Sequence, residues 1–362
     1  MHFVRLSVGS RCMSSETYPS LVPGSAPAPA LKQDAGRIPS LDALRGIAIL
    51  MVIFGHFIPA RIALGEASYH VSSLGRGGVI LFFLLSGYLV FRNIERQDAI
   101  TFISRRLFKI FPAYWVNVLL IAVFSFLTGT KFFPLDVVLG NFFMVQDIFH
   151  KESLSGVYWT LLIEVKFYLF LVLEYFLLRG RGILLVLAAL ICADAAVWFV
   201  RGHASLLLMF FPAFYVGIQV RQAETAGWSR LAMLQVAGVS LVVAASLLVF
   251  DDYYGKWSAA YVIGEAVMLV AFLRVGVSSS ILGFFGRISY SHYLYHMTAG
   301  YVFLSLFPPS EVLSFNLMVV MLVIALTTAI AYVSYRLVEV PMVAFGKRHE
   351  HLWIRRPARA VP

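Results

Sequence analysis

An arginine and a histidine, Arg45 and His56, stand eleven residues apart in the first apolar stretch of this 362-residue sequence. Eleven steps along a helix return to within about 20° of the same face, with a rise of roughly 16 Å. The two side chains are therefore predicted to lie on one stripe at different depths. Ionisable groups inside a membrane span are costly and usually functional, and a histidine there can act as a general base. The alternative is an anchoring arginine with a hydrogen-bonded interhelical histidine.

A carboxylate, Glu164, lies in the later apolar stretch VYWTLLIEVKFYL at residues 157–169. A helix entering from the outer side places Glu164 about two turns in, at a depth similar to that of His56. A carboxylate beside an imidazole orients the ring and increases its basicity, so the two are predicted to pair. The alternative is a structural pair of Glu164 with Lys166 or an arginine.

Three cations, Arg105, Arg106 and Lys109, lie in SRRLFKIFPAYW at residues 104–115. Arg105 and Lys109 are four residues apart and are predicted to share a helix face. Guanidinium groups grip phosphates as forks, and an ammonium adds a point charge. The cluster predicts a cradle for the phosphates of a cytosolic donor. The alternative is the basic anchor typical of the cytosolic end of a span.

A polar run, GRISYSHYLYHM at residues 286–297, places Tyr290, His292 and His296 in one helix, with both histidines on one face. This run predicts the polar lining of a tunnel, with interhelical hydrogen bonds as the alternative. No metal site is predicted, because no carboxylates accompany the histidines and neither HExxH nor CxxC occurs.

The elements that must position these residues are membrane spans. Hydrophobic residues make up 60% of the chain and charged residues 13%, against about 25% charged in a soluble domain. The fold class is therefore predicted to be all-α, a polytopic integral membrane helical bundle of about ten transmembrane helices. The predicted spans are 43–60, 77–92, 110–128, 157–178, 183–200, 204–220, 231–250, 257–273, 286–307 and 313–338. Segment 132–149 is interrupted by polar residues and proline, and is predicted to be interfacial or re-entrant.

The net charge of +10 belongs to the loops between the apolar runs, so no nucleic-acid partner is predicted. With the N-terminus inside, nineteen Lys and Arg fall on the cytosolic side and six outside, which predicts that both termini are cytosolic. We expect a disordered cytosolic tail at 1–37, a transmembrane domain at 38–345 and a basic cytosolic tail at 346–362. Met13 is an alternative start, which leaves open whether residues 1–12 are translated.

Six sequence blocks, in order from about residue 38 to 348, together resemble the acyltransferase-3 family of bacterial membrane acyltransferases. In the resemblance, Lys109 stands where an arginine is more usual. The blocks are IPSLDALRGIAILMVIFGHF with Arg45 and His56, GGVILFFLLSGYLVFR with Ser86, SRRLFKIFPAYW, YWTLLIEVKFY with Trp159, Glu164 and Tyr168, GRISYSHYLYHM with His296, and VEVPMVAFGKR with Glu339 and Pro341.

The resemblance implies transfer of an acyl group from cytosolic acyl-CoA to a carbohydrate hydroxyl, by a multi-pass protein of the bacterial inner (plasma) membrane. Acetyl is the default group, and succinyl or a longer chain is an alternative. The acceptor would be an exopolysaccharide, a lipopolysaccharide or another glycan, free or as a glycolipid. An SGNH-type esterase domain, which some members carry after the last span, is not expected here because only 24 residues follow residue 338.

The implied site has three groups of residues. His56 removes the proton of the acceptor hydroxyl and is assigned as catalytic with Glu164 and Arg45; an acetylated His56 is an alternative intermediate. The donor phosphates meet Arg105, Arg106 and Lys109. Substrate contacts are assigned to Ser86, Trp159, Tyr168, Tyr290 and His296.

Two other classes of protein compete with an enzyme. A secondary transporter of a sugar or lipid-linked substrate would also use buried Arg, His and Glu for proton coupling. However, the sequence shows no internal repeat of the kind that builds transporter halves. A structural or scaffold protein would not need so many ionisable groups in its spans.

Overall fold

The computed structural model of the protein describes residues 38–62, 64–178 and 182–352. Within these ranges the chain consists of helices and their connections and contains no strand. The predicted tail at 1–37 lies outside them, and only residues 346–352 of the predicted basic tail are described.

Twelve α-helices follow one another along the described ranges, and a π-helical turn, Tyr335–Glu339, joins the last two. Eight segments have the length and apolar composition to cross a membrane: Pro39–Arg61, Ala67–Ile94, Ala99–Thr128, Ile183–Arg201, Leu206–Thr225, Arg230–Phe250, Gly255–Val275 and Leu313–Arg348. The prediction of an all-α polytopic membrane bundle is confirmed. The helices are α1 (Pro39–Arg61), α2 (Ala67–Ile94), α3 (Ala99–Thr128), α4 (Leu135–Phe142), α5 (Tyr158–Leu178), α6 (Ile183–Arg201), α7 (Leu206–Thr225), α8 (Arg230–Phe250), α9 (Gly255–Val275), α10 (Ser280–Ser305), α11 (Leu313–Ser334) and α12 (Val340–Arg348).

Two further helices, α5 and α10, are 21 and 26 residues long, enough to cross a hydrocarbon core of about 30 Å. In both helices the apolar run is interrupted by polar residues. Helix α5 carries Glu164, Lys166 and Glu174, and α10 carries the Ser-, Tyr- and His-rich run at 286–297. These polar residues belong to the two helices that supply much of the site described below.

Large apolar side chains cover the outside of the bundle. Leu127, Leu185 and Phe199 are 76%, 76% and 85% exposed, and many similar residues accompany them on α3, α5, α6, α8 and α11. Such a surface would be unstable in water and is suited to lipid tails.

The central helices approach one another closely at glycines. A Cβ atom at Gly286 of α10 would overlap the main-chain carbonyl of Asp42 in α1, and one at Gly46 of α1 would overlap that of Leu282. Small residues permit this close packing where lipid provides no hydrophobic drive between helices. The result is a tight α1–α10 pair that holds both Arg45 and His56 in fixed positions.

Helices α2 and α3 begin about ten residues earlier than predicted, at Ala67 and Ala99 instead of 77 and 110. The predictions followed loss of apolarity, but Ser, His and Arg side chains do not end a helix. Asp98 caps α3, accepting a hydrogen bond from the main-chain N–H of Thr101 at 2.9 Å. As a consequence the basic cluster lies inside α3 and Arg76 lies inside α2.

Segment 132–149 contains only the eight-residue helix α4, about 12 Å long and too short to cross a membrane. This agrees with the predicted interfacial or re-entrant segment. Its centre is the buried Asn141, whose amide donates to the carbonyl of Glu152 at 2.8 Å and accepts from the N–H of Leu154 at 3.1 Å. Tyr114 of α3 donates to the Asn141 carbonyl at 2.7 Å, which fixes this segment against the bundle just before α5.

Candidate functional site

Three cavities adjoin one another inside the bundle. The wall of the basic cavity holds polar groups of α1, α2, α3, α5 and α10. It shares Val79 and Tyr293 with the histidine cavity, which contains His56. It shares Arg106 and Lys109 with the mouth cavity, at the α2–α3 and α12 end of the bundle. Along the bundle, the mouth cavity is therefore followed by the basic cavity and then by the histidine cavity.

His56 lies on α1 and lines the histidine cavity. Its Nδ1 is 2.7 Å from the carbonyl oxygen of Val52, one turn earlier. Because a carbonyl only accepts, Nδ1 carries the proton of the neutral ring and Nε2 keeps its lone pair. A basic nitrogen is thus available beside the cavity, fixed by the main chain of its own helix.

His296 of α10 lies against His56, with ring centroids 5.2 Å apart. It is fully buried, and its Nδ1 donates to the carbonyl of Tyr293 at 2.8 Å. Its Nε2 has no partner among the described residues. His296 is not among the residues that line these cavities, and it lies against the ring of His56; its contact with substrate stays a prediction.

The predicted pair of Glu164 with His56 is not formed, and this expectation was wrong. Glu164 lines the basic cavity, where its Oε1 accepts hydrogen bonds from the hydroxyls of Ser86, at 2.6 Å, and Tyr168. The alternative pair with Lys166 is not formed either, because Lys166 makes an ion pair with Asp147.

The reason is the depth at which α5 begins. The segment around Asn141 is packed into the bundle, and the residues at the start of α5, Val157 and Trp159, already line the histidine cavity. Glu164 follows Trp159 by five residues, about 7.5 Å further along the helix. The predicted helix ends suggested that Glu164 and His56 lie at equal depth. The packing of the preceding loop instead places Glu164 nearer than His56 to the mouth-cavity end of the bundle.

Four cations surround the basic cavity: Arg45 of α1, Arg106 and Lys109 of α3, and Arg287 of α10. The guanidinium of Arg106 lies over the ring of Tyr168, 5.1 Å from its centroid. Two carboxylates, Glu164 and Glu339, share the wall, and Glu339 accepts from Ser291 at 3.1 Å. The excess of cations gives the cavity the charge of a site for a phosphate-bearing molecule.

Arg105 differs from its neighbours in the cluster. It lines the mouth cavity with Lys109, as expected from their spacing, but it is not part of the basic cavity. Its Nη2 lies 3.0 and 2.9 Å from the two carboxylate oxygens of Glu350, an exposed ion pair that the sequence did not predict. One residue further along the helix is a rotation of 100°, which turns Arg106 towards the interior and leaves Arg105 at the rim.

The remaining predicted substrate contacts divide between the two inner cavities. Ser86, Tyr168 and Tyr290 line the basic cavity, and Trp159 lines the histidine cavity. The hydroxyl of Tyr290 donates to the carbonyl of Ile110 in α3 at 2.7 Å, which ties α10 to the basic cluster.

The wall residues that the sequence analysis missed include Arg76, Arg287 and Tyr293. Arg76 lines the histidine cavity but precedes the predicted start of its span, so it was counted with the outer loop cations. Tyr293 stands where the two inner cavities meet, and its hydroxyl is 2.5 Å from that of Thr160. Arg287 and Tyr293 lie within the polar run at 286–297, which was the available signal.

Within residues 38–62, 64–178 and 182–352, no group of three or more His, Cys, Asp or Glu side chains is arranged to hold a metal ion. The polar groups of the three cavities include cations, hydroxyls, amides, one imidazole and two carboxylates. These groups can bind anions, orient hydroxyls and accept a proton.

Comparisons with known proteins place this arrangement among acyltransferases. The acyltransferase-3 family model, described as an acyltransferase domain, matches residues 38–336. The chain is 26% identical over 309 residues to the acyltransferase MdmB of Streptomyces mycarofaciens, covering 72% of this chain and 78% of that protein.

Two further relatives are more distant. A putative acetyltransferase of Acidianus two-tailed virus is 24% identical over 279 residues, covering 72% of this chain and 82% of that protein. The peptidoglycan O-acetyltransferase OatA of Listeria monocytogenes is 24% identical over 399 residues, covering 88% of this chain and 59% of that protein. No solved structure matches the chain.

Proposed function

The chain belongs to the acyltransferase-3 family and is an acyltransferase, and on that premise we propose that it is a membrane O-acetyltransferase of glycans. The proposed donor is acyl-CoA, by default acetyl-CoA, bound from the cytosol. The proposed acceptor is a hydroxyl of a carbohydrate or glycolipid reached from the other side of the bacterial inner membrane. The printed name of the Listeria relative, a peptidoglycan O-acetyltransferase, supports a glycan as the class of acceptor.

One observation carries the proposal: the unprotonated Nε2 of His56 stands beside a cavity that adjoins the cation-lined cavity. Acyl transfer to a hydroxyl needs a base for the hydroxyl proton and a place for a polyanionic donor. Arg45 and His56 lie about 16 Å apart along α1. This one helix therefore supplies a cation for the donor site and the base for the acceptor hydroxyl. The pantetheine arm of coenzyme A is an extended chain suited to cross that interval.

The donor enters through the mouth cavity in this proposal. Arg105, Arg106 and Lys109 bind its phosphates there, and Arg45 extends the cationic wall inward. The thioester then lies near Tyr293, where the basic and histidine cavities share a wall. Glu164 orients Ser86 and Tyr168 around the arm and offsets part of the positive charge.

The proposed acyl transfer uses His56 first as a base and then as an acid. The Nε2 of His56 takes the proton of the acceptor hydroxyl while the hydroxyl oxygen attacks the thioester carbonyl. A carbon–oxygen bond forms, the carbon–sulfur bond breaks, and the imidazolium returns the proton to the departing sulfur. His296 holds the imidazole from behind through their ring contact.

The test of this proposal is the His56→Gln variant, assayed for acetyl transfer and release of free CoA by detergent-solubilised protein. Glutamine keeps a hydrogen-bonding side chain but cannot take the proton. We expect the rate to fall about 10²- to 10⁴-fold, the range typical of losing a general base. His56→Ala should be as inactive, and both variants should insert normally and bind acyl-CoA as the parent does.

His203→Gln is the matched control, because His203 is exposed in the α6–α7 connection, and it should retain full activity. A His56→Gln variant with most of its activity would make His56 a packing residue and move the base to His296 or Glu164. A parent protein that never releases CoA with any glycan would instead favour the transporter alternative.

A further inference from the structure

The histidine cavity contains a cation that the acyl-transfer chemistry above does not use. Arg76 of α2 lines the cavity next to Gly75, and Gly75 packs beside the imidazole of His56. Only 15% of its side chain is exposed. An arginine so enclosed in a span requires a partner or a function.

Aromatic rings hold the Arg76 guanidinium on three sides. Its Cζ lies 5.0 Å from the ring centroid of Phe210, 5.4 Å from that of Tyr254 and 5.8 Å from that of Trp159. Stacking on aromatic faces fixes the plane of a guanidinium and leaves its edge free to donate. The side chain is thus held rigidly before any ligand arrives.

Asp251 approaches Arg76 from behind and neutralises it only in part. The distance from Arg76 Nε to Asp251 Oδ2 is 3.7 Å, longer than a hydrogen bond. The Asp251 carboxylate is already bound by the hydroxyl of Ser258, at 2.6 Å, and by the N–H groups of Tyr253 and Tyr254. The terminal Nη groups of Arg76 have no hydrogen-bond partner among the described residues.

The wall of the histidine cavity complements these donors. Among its described lining residues Arg76 is the only Lys, Arg, Asp or Glu, so no carboxylate there repels an anion. Trp159, Tyr254 and Tyr301 add aromatic surface on which the C–H face of a sugar ring can lie. A guanidinium fork in a partly desolvated pocket binds a carboxylate or phosphate more strongly than it binds neutral hydroxyls.

From this geometry we propose that Arg76 selects the acceptor: the histidine cavity takes a saccharide with an anionic oxygen group, a carboxylate or a phosphate. The Nη groups grip the anion, the aromatic walls carry the ring, and a free hydroxyl is presented to the Nε2 of His56. This inference rests on the proposed function for the hydroxyl transfer, but the anion subsite itself can be measured by binding alone.

The experiment compares three probes on the purified full-length protein in detergent micelles: methyl glucuronoside, methyl glucoside and methyl glucoside 6-phosphate. Binding is followed by tryptophan fluorescence and by thermal stabilisation, without donor. We expect at least one anionic probe to bind about tenfold or more tightly than the neutral glucoside, as a hydrogen-bonded charged group typically provides. The two anionic probes distinguish a uronate from a phosphate as the preferred group.

Arg76→Gln should abolish this preference while leaving weak binding of the neutral probe unchanged, and Arg76→Lys should keep part of it because the charge remains without the fork. Lys256→Gln is the control, since it removes a cation from the exposed start of α9, outside the cavity. The lysine variant also reports whether the cavity survives when the guanidinium is absent.

Equal binding of the three probes to the parent protein, or an anion preference that survives in Arg76→Gln, overturns the inference. Neither result bears on acyl transfer, which is scored separately by CoA release with each of the three probes. Loss of CoA release with every probe would reject the proposed function while the anion preference still stood on the binding data.

Discussion

The catalytic assignment at His56 depends on a hydrogen bond to the main chain. The carbonyl of Val52 orients the imidazole and sets its tautomer, as a carboxylate does in hydrolase triads. A carbonyl carries no full charge, so it stabilises the imidazolium less than a carboxylate does. This suits a base that must return its proton to the leaving sulfur within the same reaction. The bonding of Glu164 to Ser86 and Tyr168 instead of to His56 therefore agrees with the proposed chemistry.

Arg105 and Arg106 are neighbours in the basic cluster, but we expect different effects on donor binding when each is replaced. Arg106 lines both the mouth and the basic cavity, whereas Arg105 lines only the mouth and is paired with Glu350. We expect Arg106→Ala to raise the KM for acetyl-CoA about tenfold or more, because a charged hydrogen bond to phosphate is lost, with a smaller change in kcat.

Arg105→Ala serves as the matched variant and should raise that KM by only a fewfold, since its partner is an exposed carboxylate. Steady-state kinetics at a fixed acceptor concentration measures both values. Equal effects of the two substitutions would mean that Arg105 leaves Glu350 and binds the phosphates as strongly as Arg106 does.

At the scale of elements, glycine contacts decide how close the site-bearing helices come. Helix α2 carries Ser86 and Arg76, and it meets α7 through Gly87 and Gly217. Each glycine faces a main-chain carbonyl of the other helix, so the two backbones touch and the rings of Phe83 and Phe214 stack beside them, 4.6 Å apart. Backbone contact of this kind fixes the distance between helices more sharply than side-chain packing does.

Gly217→Ala tests this contact, because its Cβ would overlap the carbonyl oxygen of Leu84. Overpacking of this kind costs about 1–3 kcal/mol, which exceeds the roughly 1 kcal/mol that alanine gains over glycine in helix propensity. We expect a lower melting temperature in detergent, measured by the fraction that remains monodisperse after heating.

Gly238→Ala is the control on α8, where a Cβ would have nothing within 4 Å. The same gain in helix propensity should then leave the melting temperature equal or slightly higher. A Gly217→Ala protein as stable as the parent would show that α2 and α7 can separate without cost.

At the scale of the whole molecule, the order of the cavities along the bundle distinguishes a donor end from an acceptor end. The mouth and basic cavities hold the cations at the end where α3 begins, and the histidine cavity opens towards the other end. A membrane places its Lys and Arg-rich side in the cytosol, where acyl-CoA is available. The proposed transfer therefore runs along the membrane normal, with donor and acceptor entering from opposite faces.

Topology reporters check this direction. A fusion after Gly227, between α7 and α8, should report the cytosol, and one after Gly255, at the start of α9, should report the outer side. The reason is the excess of Lys and Arg in the loops assigned to the cytosol. The reverse pattern would put the mouth cavity outside and separate it from cytosolic acyl-CoA.

The sequence by itself determined the membrane class, the helical architecture and the family, because these follow from apolar content and from short motifs within single helices. It also identified most of the polar residues that line the basic cavity, including Arg45, Ser86, Lys109 and Glu164. Arg45, Lys109 and Glu164 are recognisable as ionisable residues within or beside apolar runs, whereas Ser86 was identified through the resemblance to the family.

Only the tertiary structure decided which of these residues meet. The packing of the segment around Asn141 sets the depth of α5 and so separates Glu164 from His56, and no local pattern encodes that depth. The glycine contacts between α1 and α10 bring His296 behind His56, although they are 240 residues apart in the sequence. Arg76 was missed because apolarity marked the start of α2 too late. Depth and register in a bundle depend on contacts between distant segments, which a single sequence does not display.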